Sequence, residues 1–177
     1  PFGAAARELG AAFGVRMEDG HLRDPEHADT DLPSPYVLRF ERSEGLIGDH
    51  PITRGRSPEE RIDTVVTFGG QALRAPEGAR ATPILRLAET AEVVDDPALG
   101  PDAPGRSAAG MVHAVAIEHG AGRVVVLGEA AVFTSQVITG PTAEEMGREE
   151  LRFGMSRTDT DDRQLALNTV RWLAGLL

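Results

Sequence analysis

The sequence has no cysteine and no lysine; all eighteen basic residues among its 177 are arginine. Without cysteine there is no thiolate nucleophile, no cysteine-ligated zinc and no disulfide. Without lysine there is neither a Walker A loop, which ends in Gly-Lys-Ser/Thr, nor a Schiff base to pyridoxal phosphate. A GC-rich genome accounts for the missing lysine, and the exclusions hold whatever its cause. Freedom from cysteine does not separate cytosol from periplasm. No apolar run approaches the ~20 residues that cross a bilayer, so no transmembrane segment is expected. The formal net charge of -10, with arginine scattered along the chain, argues against a nucleic-acid partner. No Gly-x-Ser-x-Gly elbow occurs, so no hydrolase serine is presented on a strained strand-to-helix turn.

What remains is ordinary globular material, 41% hydrophobic and 26% charged, in a length that suits one domain over residues 1–177. Apolar residues at helical spacing predict a helix over Ala4–Phe13, closed by Gly14. In an α/β domain such a helix normally follows a strand, so the first strand or strands are expected upstream of this chain. Strands are expected at Val15–Met17, Tyr36–Phe40, Ile62–Phe68, Thr82–Leu87, Met111–Glu118 and Arg123–Leu127. Residues 18–35 read as a long loop, 49–55 as a turn, 95–109 as a loop or lid, and 137–160 as irregular. A final helix is expected to start at a Thr160 cap, with Asp161 and Asp162 against its positive end. Its inner stripe would be Leu165, Thr169, Val170 and Leu173.

The β-branched run Val124–Val126, stopping at Gly128-Glu129, reads as a strand covered on both faces within a parallel sheet. The short Gly120-Ala-Gly122 connection forces its preceding neighbour to be antiparallel. The expected fold is therefore α/β: a Rossmann-like or flavodoxin-like sandwich, mostly parallel, with an antiparallel strand pair near the C-terminus.

Candidate site residues follow from that fold. Glu129 would sit outside the carboxyl end of a central strand, where doubly wound sheets place ligands, with Ser135 and Gln136 lining the same crevice. Alternatively, Glu129 caps the backbone of the next turn. Gly70 and Gln71, directly after a buried strand, can present backbone N–H groups to an anion, or simply turn the chain. Asp49 beside His50 could tune a general base; His50 as a structural turn residue before Pro51 is the preferred reading. His21, Asp24, Glu26, His27, Asp29 and Asp31 crowd one loop, but without rigid ligand spacing they are expected to form a solvated acidic loop. No metal and no cofactor is expected.

Several motifs also carry a family likeness. Gly122-Arg-Val-Val-Val-Leu-Gly-Glu129, followed by the Arg163-Gln-x-x-x-Asn-x-x-x-Trp-Leu-Ala-Gly175 helix, resembles the closing strand and helix of glutamine-amidotransferase-like domains. His50-Pro-Ile-Thr-Arg-Gly55, Val65-Val-Thr-Phe-Gly-Gly-Gln71 and the opening Pro1-Phe-Gly-Ala-Ala-Ala are similar to recurrent segments of that group. It includes bacterial families of unknown function related to accessory subunits of gliding-motility ABC transporters and to intraflagellar transport proteins. The resemblance implies a Rossmann-like sandwich lacking its N-terminal part and, since relatives often follow an export signal, a periplasmic or envelope location. Amidotransferase activity does not carry over, because its nucleophilic cysteine has no counterpart here.

The expected function is a non-catalytic domain that binds a protein or carbohydrate-like ligand at the strand ends. The alternative is a hydrolase, with or without a metal, in which Glu129 or Asp49 and His50 activate water.

Overall fold

The computed structural model describes residues 6–32, 34–78, 80–100 and 102–177. From the N-terminus run α1 (Arg7–Ala12), β1 (Arg16–Met17), β2 (His21–Arg23), β3 (Val37–Glu41) and α2 (Pro51–Arg54). Then come β4 (Thr64–Phe68), β5 (Leu73–Arg74), β6 (Ala81–Arg86), β7 (Glu92–Val94) and β8 (Gly105–Ser107). The chain ends with β9 (Val112–His119), β10 (Gly122–Leu127), β11 (Ser135–Thr139), α3 (Pro141–Glu145), β12 (Glu150–Gly154) and α4 (Asp162–Leu173).

The β9–β10 hairpin is the centre of the largest sheet. It turns at Gly120, whose φ of 59° suits a residue without a Cβ, and pairs from His119↔Gly122 to Ala114↔Leu127. β6 and β5 pair with the other edge of β9, and β1 extends the sheet beyond β5. Three smaller sheets are β3–β4, β2–β7–β8 and β11–β12. Every strand pairing among the described residues is antiparallel.

The mostly parallel Rossmann-like or flavodoxin-like α/β sandwich is therefore corrected to antiparallel sheets with few helices. The misleading signal was the apolar run in β10. Its alternation sends Val125 and Leu127 into the core cluster that holds Leu165 and Trp172 of α4. Val124 and Val126 face a second cluster with Val15, Met17, Leu73 and Val115. Both faces are covered, which is all that a continuous apolar run reports; an antiparallel strand with two covered faces has the same composition as a parallel one.

Local corrections have similarly concrete causes. Residues 18–35 contain β2, which pairs with β7 at His21↔Val94, and 95–109 contain β8, which pairs with β7 at Val94↔Gly105. Residues 137–160 hold α3 and β12, and β11 pairs with β12 from Ser135↔Gly154 to Thr139↔Glu150. The 49–55 turn is wound into α2, with His50 as its N-cap. In α4 the N-cap is Asp161, and the buried stripe is Asp162, Leu165, Asn168, Thr169 and Trp172, while Val170 and Leu173 are exposed. The helix is rotated from expectation because Asn168 finds two acceptors for its Nδ2, Ile52 O at 2.9 Å and Glu60 O at 2.8 Å. A polar residue satisfied in this way is buried without penalty. Residues 4 and 5 of the expected first helix lie outside the described residues. No helix among them is long and apolar enough to cross a membrane.

The acidic loop is also corrected, because its key carboxylates are not solvated. Asp24 is buried, accepting from Thr90 Oγ1 at 2.9 Å and lying 2.9 Å from His27 Nδ1. Asp29 is buried against Arg157 and Arg39. Asp24 and Asp29 hold the β2–β3 connection in place, while Glu26 and Asp31 of the same loop do face water.

Candidate functional site

The ends of β4 and β10 meet side by side. Gln71 N donates to Gly128 O at 2.9 Å, and Gly128 N donates to His113 O at 2.8 Å. His113 Nδ1 lies 3.2 Å from Gln71 O, its ring stacked on Phe40 with centroids 5.7 Å apart. Only glycine allows this approach. A Cβ on Gly70 (φ 82°) would fall 2.5 Å from Glu129 Cβ, and one on Gly128 would fall 2.0 Å from Gln71 O.

Above this crossing lies a cavity of about 670 Å³. Gly70, Gln71, Gly128 and Glu129 line it from the two strand ends, and Phe68 from the last position of β4. Asp19 and His21 reach it from the β1–β2 turn, and Asp95 from the end of β7. Arg106 Nη2 bonds Asp95 Oδ1 at 2.9 Å, and Arg7 pairs with Asp19, so these rim carboxylates carry partners on exposed side chains. Gln71 Nε2 donates to Glu18 O at 3.0 Å, which fixes the side chain at the cleft wall.

Three of the six residues singled out in the sequence, Gly70, Gln71 and Glu129, come together here. The other three stand apart. Ser135 is an exposed residue of β11. Gln136 donates from Nε2 to Thr134 Oγ1 at 2.9 Å and lines a neighbouring, mostly apolar cavity of about 280 Å³. His50 caps α2: its Nδ1 accepts Ile52 N at 3.2 Å, and its ring meets Trp172 edge-on at 4.9 Å. Burial, helped by the Arg54 charge, lowers the His50 pKa to about 4, so the ring is neutral near pH 7. Asp49 points to Arg54 Nη1 at 2.9 Å rather than to the imidazole.

Glu129 does what the alternative reading assigned to it. Oε1 accepts Val132 N at 2.9 Å and Oε2 accepts Ala131 N, capping the 3-10 turn Ala131–Phe133. Burial raises its pKa and these two amides oppose the rise. With both oxygens engaged, the carboxylate positions the cleft wall and is poorly placed to take a proton from water.

The chain matches no protein-family model, no curated protein and no solved structure. The site is therefore read from its own chemistry. Asp19, Phe68 and Asp95 carry no mark in the sequence, and His21 stands out there only as a member of the acidic loop, because the β2–β7 pairing that brings His21 and Asp95 together is long-range. The one local signal was Asp19-Gly20: Gly20 has φ 109°, and a Cβ there would lie 2.7 Å from Val93 Cγ1.

Behind the cleft, Asp162 is wholly buried at the first turn of α4. Its Oδ1 accepts Val66 N at 3.0 Å; Thr160 Oγ1 stands alongside Oδ2 without hydrogen-bond geometry. Burial raises the Asp162 pKa to about 7, and the nearby Glu129 charge adds to the rise. A carboxyl with a raised folded-state pKa stabilises fully below its unfolded value near 4, and that contribution is lost as pH rises through 7. Asp162→Asn removes the ionisation and retains an acceptor for Val66. Its stability relative to the parent chain should improve by roughly 2–3 kcal/mol between pH 5 and pH 8, at about 1.4 kcal/mol per pKa unit. Urea melts at the two pH values read this directly; a difference independent of pH would mean that Asp162 titrates normally.

Proposed function

We propose that this chain is a non-catalytic binding domain whose cleft at the ends of β4 and β10 takes a carbohydrate-like ligand. The observation that carries the reading is the meeting of Gly70-Gln71 with Gly128-Glu129 beneath a cavity of about 670 Å³. That volume falls in the range of about 300–1,000 Å³ typical of small-ligand sites. Its lining suits a polyhydroxylated molecule. Asp19 and Asp95 can accept hydrogen bonds from hydroxyl groups, His21 can donate or accept, and Phe68 offers a partly exposed side chain to sugar C–H groups. A polar loop of a partner protein is the other occupant that this chemistry would admit.

The hydrolase reading has less support. Glu129 is occupied as a cap, and Asp49 and His50 are turned to separate partners. Among the described residues no group of three or more His, Cys, Asp or Glu could hold a metal ion.

Glycan and peptide arrays probed with the chain test the proposal. A carbohydrate class should be retained, and Asp95→Ala should weaken it about tenfold, or 1.4 kcal/mol, with the melting temperature held. Retention of no glycan, or glycan binding indifferent to Asp95→Ala and His21→Ala alike, would reject the cleft as the site.

A further inference from the structure

Phe68 belongs to more than the cleft. The residue is 44% exposed; its ring meets Phe153 edge-on at 4.6 Å, and it also lines the cavity of about 280 Å³ beside the cleft. This second cavity lies among β11, α3 and β12. Ile138, Met146, Leu151 and Phe153 supply hydrocarbon, and Gln136 and Thr142 are its polar members. Ala130 lines the cleft and Ala131 the second cavity, so one short step of chain divides them. Met146 is 51% exposed there. Two large apolar side chains held in water where the cleft meets an apolar recess mark a binding surface more readily than a lone exposed residue does.

We propose that the ligand is amphipathic: a hydroxylated head in the cleft, carrying an alkyl or aryl substituent that crosses Phe68 into the groove of Ile138, Met146 and Phe153. This rests on the reading of the cleft as a carbohydrate-like site and names the ligand's second half. Three features support it. The two recesses share Phe68 and are one residue apart along the chain. Their linings suit the two ends of one molecule, since the cleft carries carboxylates and an imidazole among its apolar wall while the recess is almost wholly aliphatic and aromatic carbon. The apolar recess is also small. It accommodates a single substituent, whereas a stable protein interface covers about 800 Å² per partner. Burying a substituent there removes its surface and that of Phe68 and Met146 from water together, so affinity should rise with chain length.

The test is titration calorimetry with matched methyl and n-octyl glycosides (gluco, galacto, manno and N-acetylglucosamine series), kept below micellar concentration, with n-octanol as a headless probe. The octyl member of at least one series should bind tenfold or more tightly than its methyl partner. Met146→Glu, a change at an exposed position, should abolish that advantage and leave methyl-glycoside binding intact; Asp95→Ala should weaken both members. Equal affinity of methyl and octyl glycosides, or an octyl advantage that survives Met146→Glu, overturns the amphipathic ligand and leaves the cleft reading standing. Octyl glycosides that bind no better than octanol and ignore Asp95→Ala overturn both, as does the absence of binding by every probe.

Discussion

Replacing Asp29 with alanine should lower the unfolding free energy by about 3–5 kcal/mol, the cost of breaking a buried ion pair from one side. Asp29 is 1% exposed and its two oxygens are fully used. Oδ2 accepts from Arg157 Nη1 at 2.9 Å and from Leu32 N at 3.0 Å; Oδ1 accepts from Arg39 Nη1 at 3.2 Å and Arg157 Nη2 at 3.3 Å. Arg157 is itself buried. Burial opposes its charge, but the hydrogen bonds it donates to Asp159 and Asp29 more than offset that, and its pKa is raised. Removing Asp29 therefore leaves a buried guanidinium that cannot shed its proton with Asp159 as its one remaining carboxylate partner among the described residues. The contact spans 128 residues of sequence, so it also fastens the β2–β3 connection to the chain after β12. Urea denaturation measures the loss. Asp29→Ala/Arg157→Met should recover part of it, because the under-paired buried charge has gone; a single-variant loss below about 1 kcal/mol would show that the pair is solvated in practice.

The second large effect should come from a single methyl group. Gly128→Ala places a Cβ 2.0 Å from Gln71 O and 2.7 Å from His113 Nδ1. Neither neighbour can yield: one is backbone, and the other is a fully buried ring stacked on Phe40. Gly128 is not among the glycines with positive φ, so the cost arises from space alone. The ends of β4 and β10 would have to separate, at a cost of about 3 kcal/mol or more, the upper part of the range for overpacking. The cleft would lose its floor, and ligand binding should fall with stability. Gly45→Ala is the control. Nothing lies within 4 Å of its added Cβ, and only the left-handed φ of 77° opposes it, at about 1–2 kcal/mol. Thermal melts of the two variants separate the effects; equal losses would mean that the Gly128 crossing opens for no more than the cost of one left-handed alanine.

Local structure was far more legible in the sequence than pairing. The apolar runs at Tyr36–Phe40, Ile62–Phe68, Thr82–Leu87 and Arg123–Leu127 overlap β3, β4, β6 and β10 within a residue or two at each end. The Gly120 hairpin was readable because turn length dictates direction. Strand direction elsewhere was not, since covered faces and parallel neighbours leave the same composition. Segments held by partners distant in sequence were least visible. The three residues of β2 look like loop until β7 supplies hydrogen bonds, and β11 and β12 look irregular until each finds the other. The site divides along the same line. Gly70, Gln71 and Glu129 were found because each follows a strong strand directly, whereas Asp19, His21 and Asp95 are brought in by tertiary pairing. His50, a candidate site residue in the sequence, caps α2 through an amide it accepts, and its neutral state follows from burial, which no local pattern discloses.

The way β4 is finished has a further consequence. Its pairing with β3 leaves the opposite margin of the strand, and there the start of α4 supplies the partners. Asp161 Oδ2 accepts the amides of Asp63 at 2.7 Å and Thr64 at 3.0 Å, Asp162 Oδ1 accepts that of Val66, and Asp161 N donates to Thr64 O at 2.8 Å. A helix that lifted off would bare a row of sticky backbone groups at the moment its own apolar stripe came into view. Detachment of α4 and fraying of β4 are thus one cooperative event, and the isotope-exchange clocks of Asp63, Thr64 and Val66 should tick together.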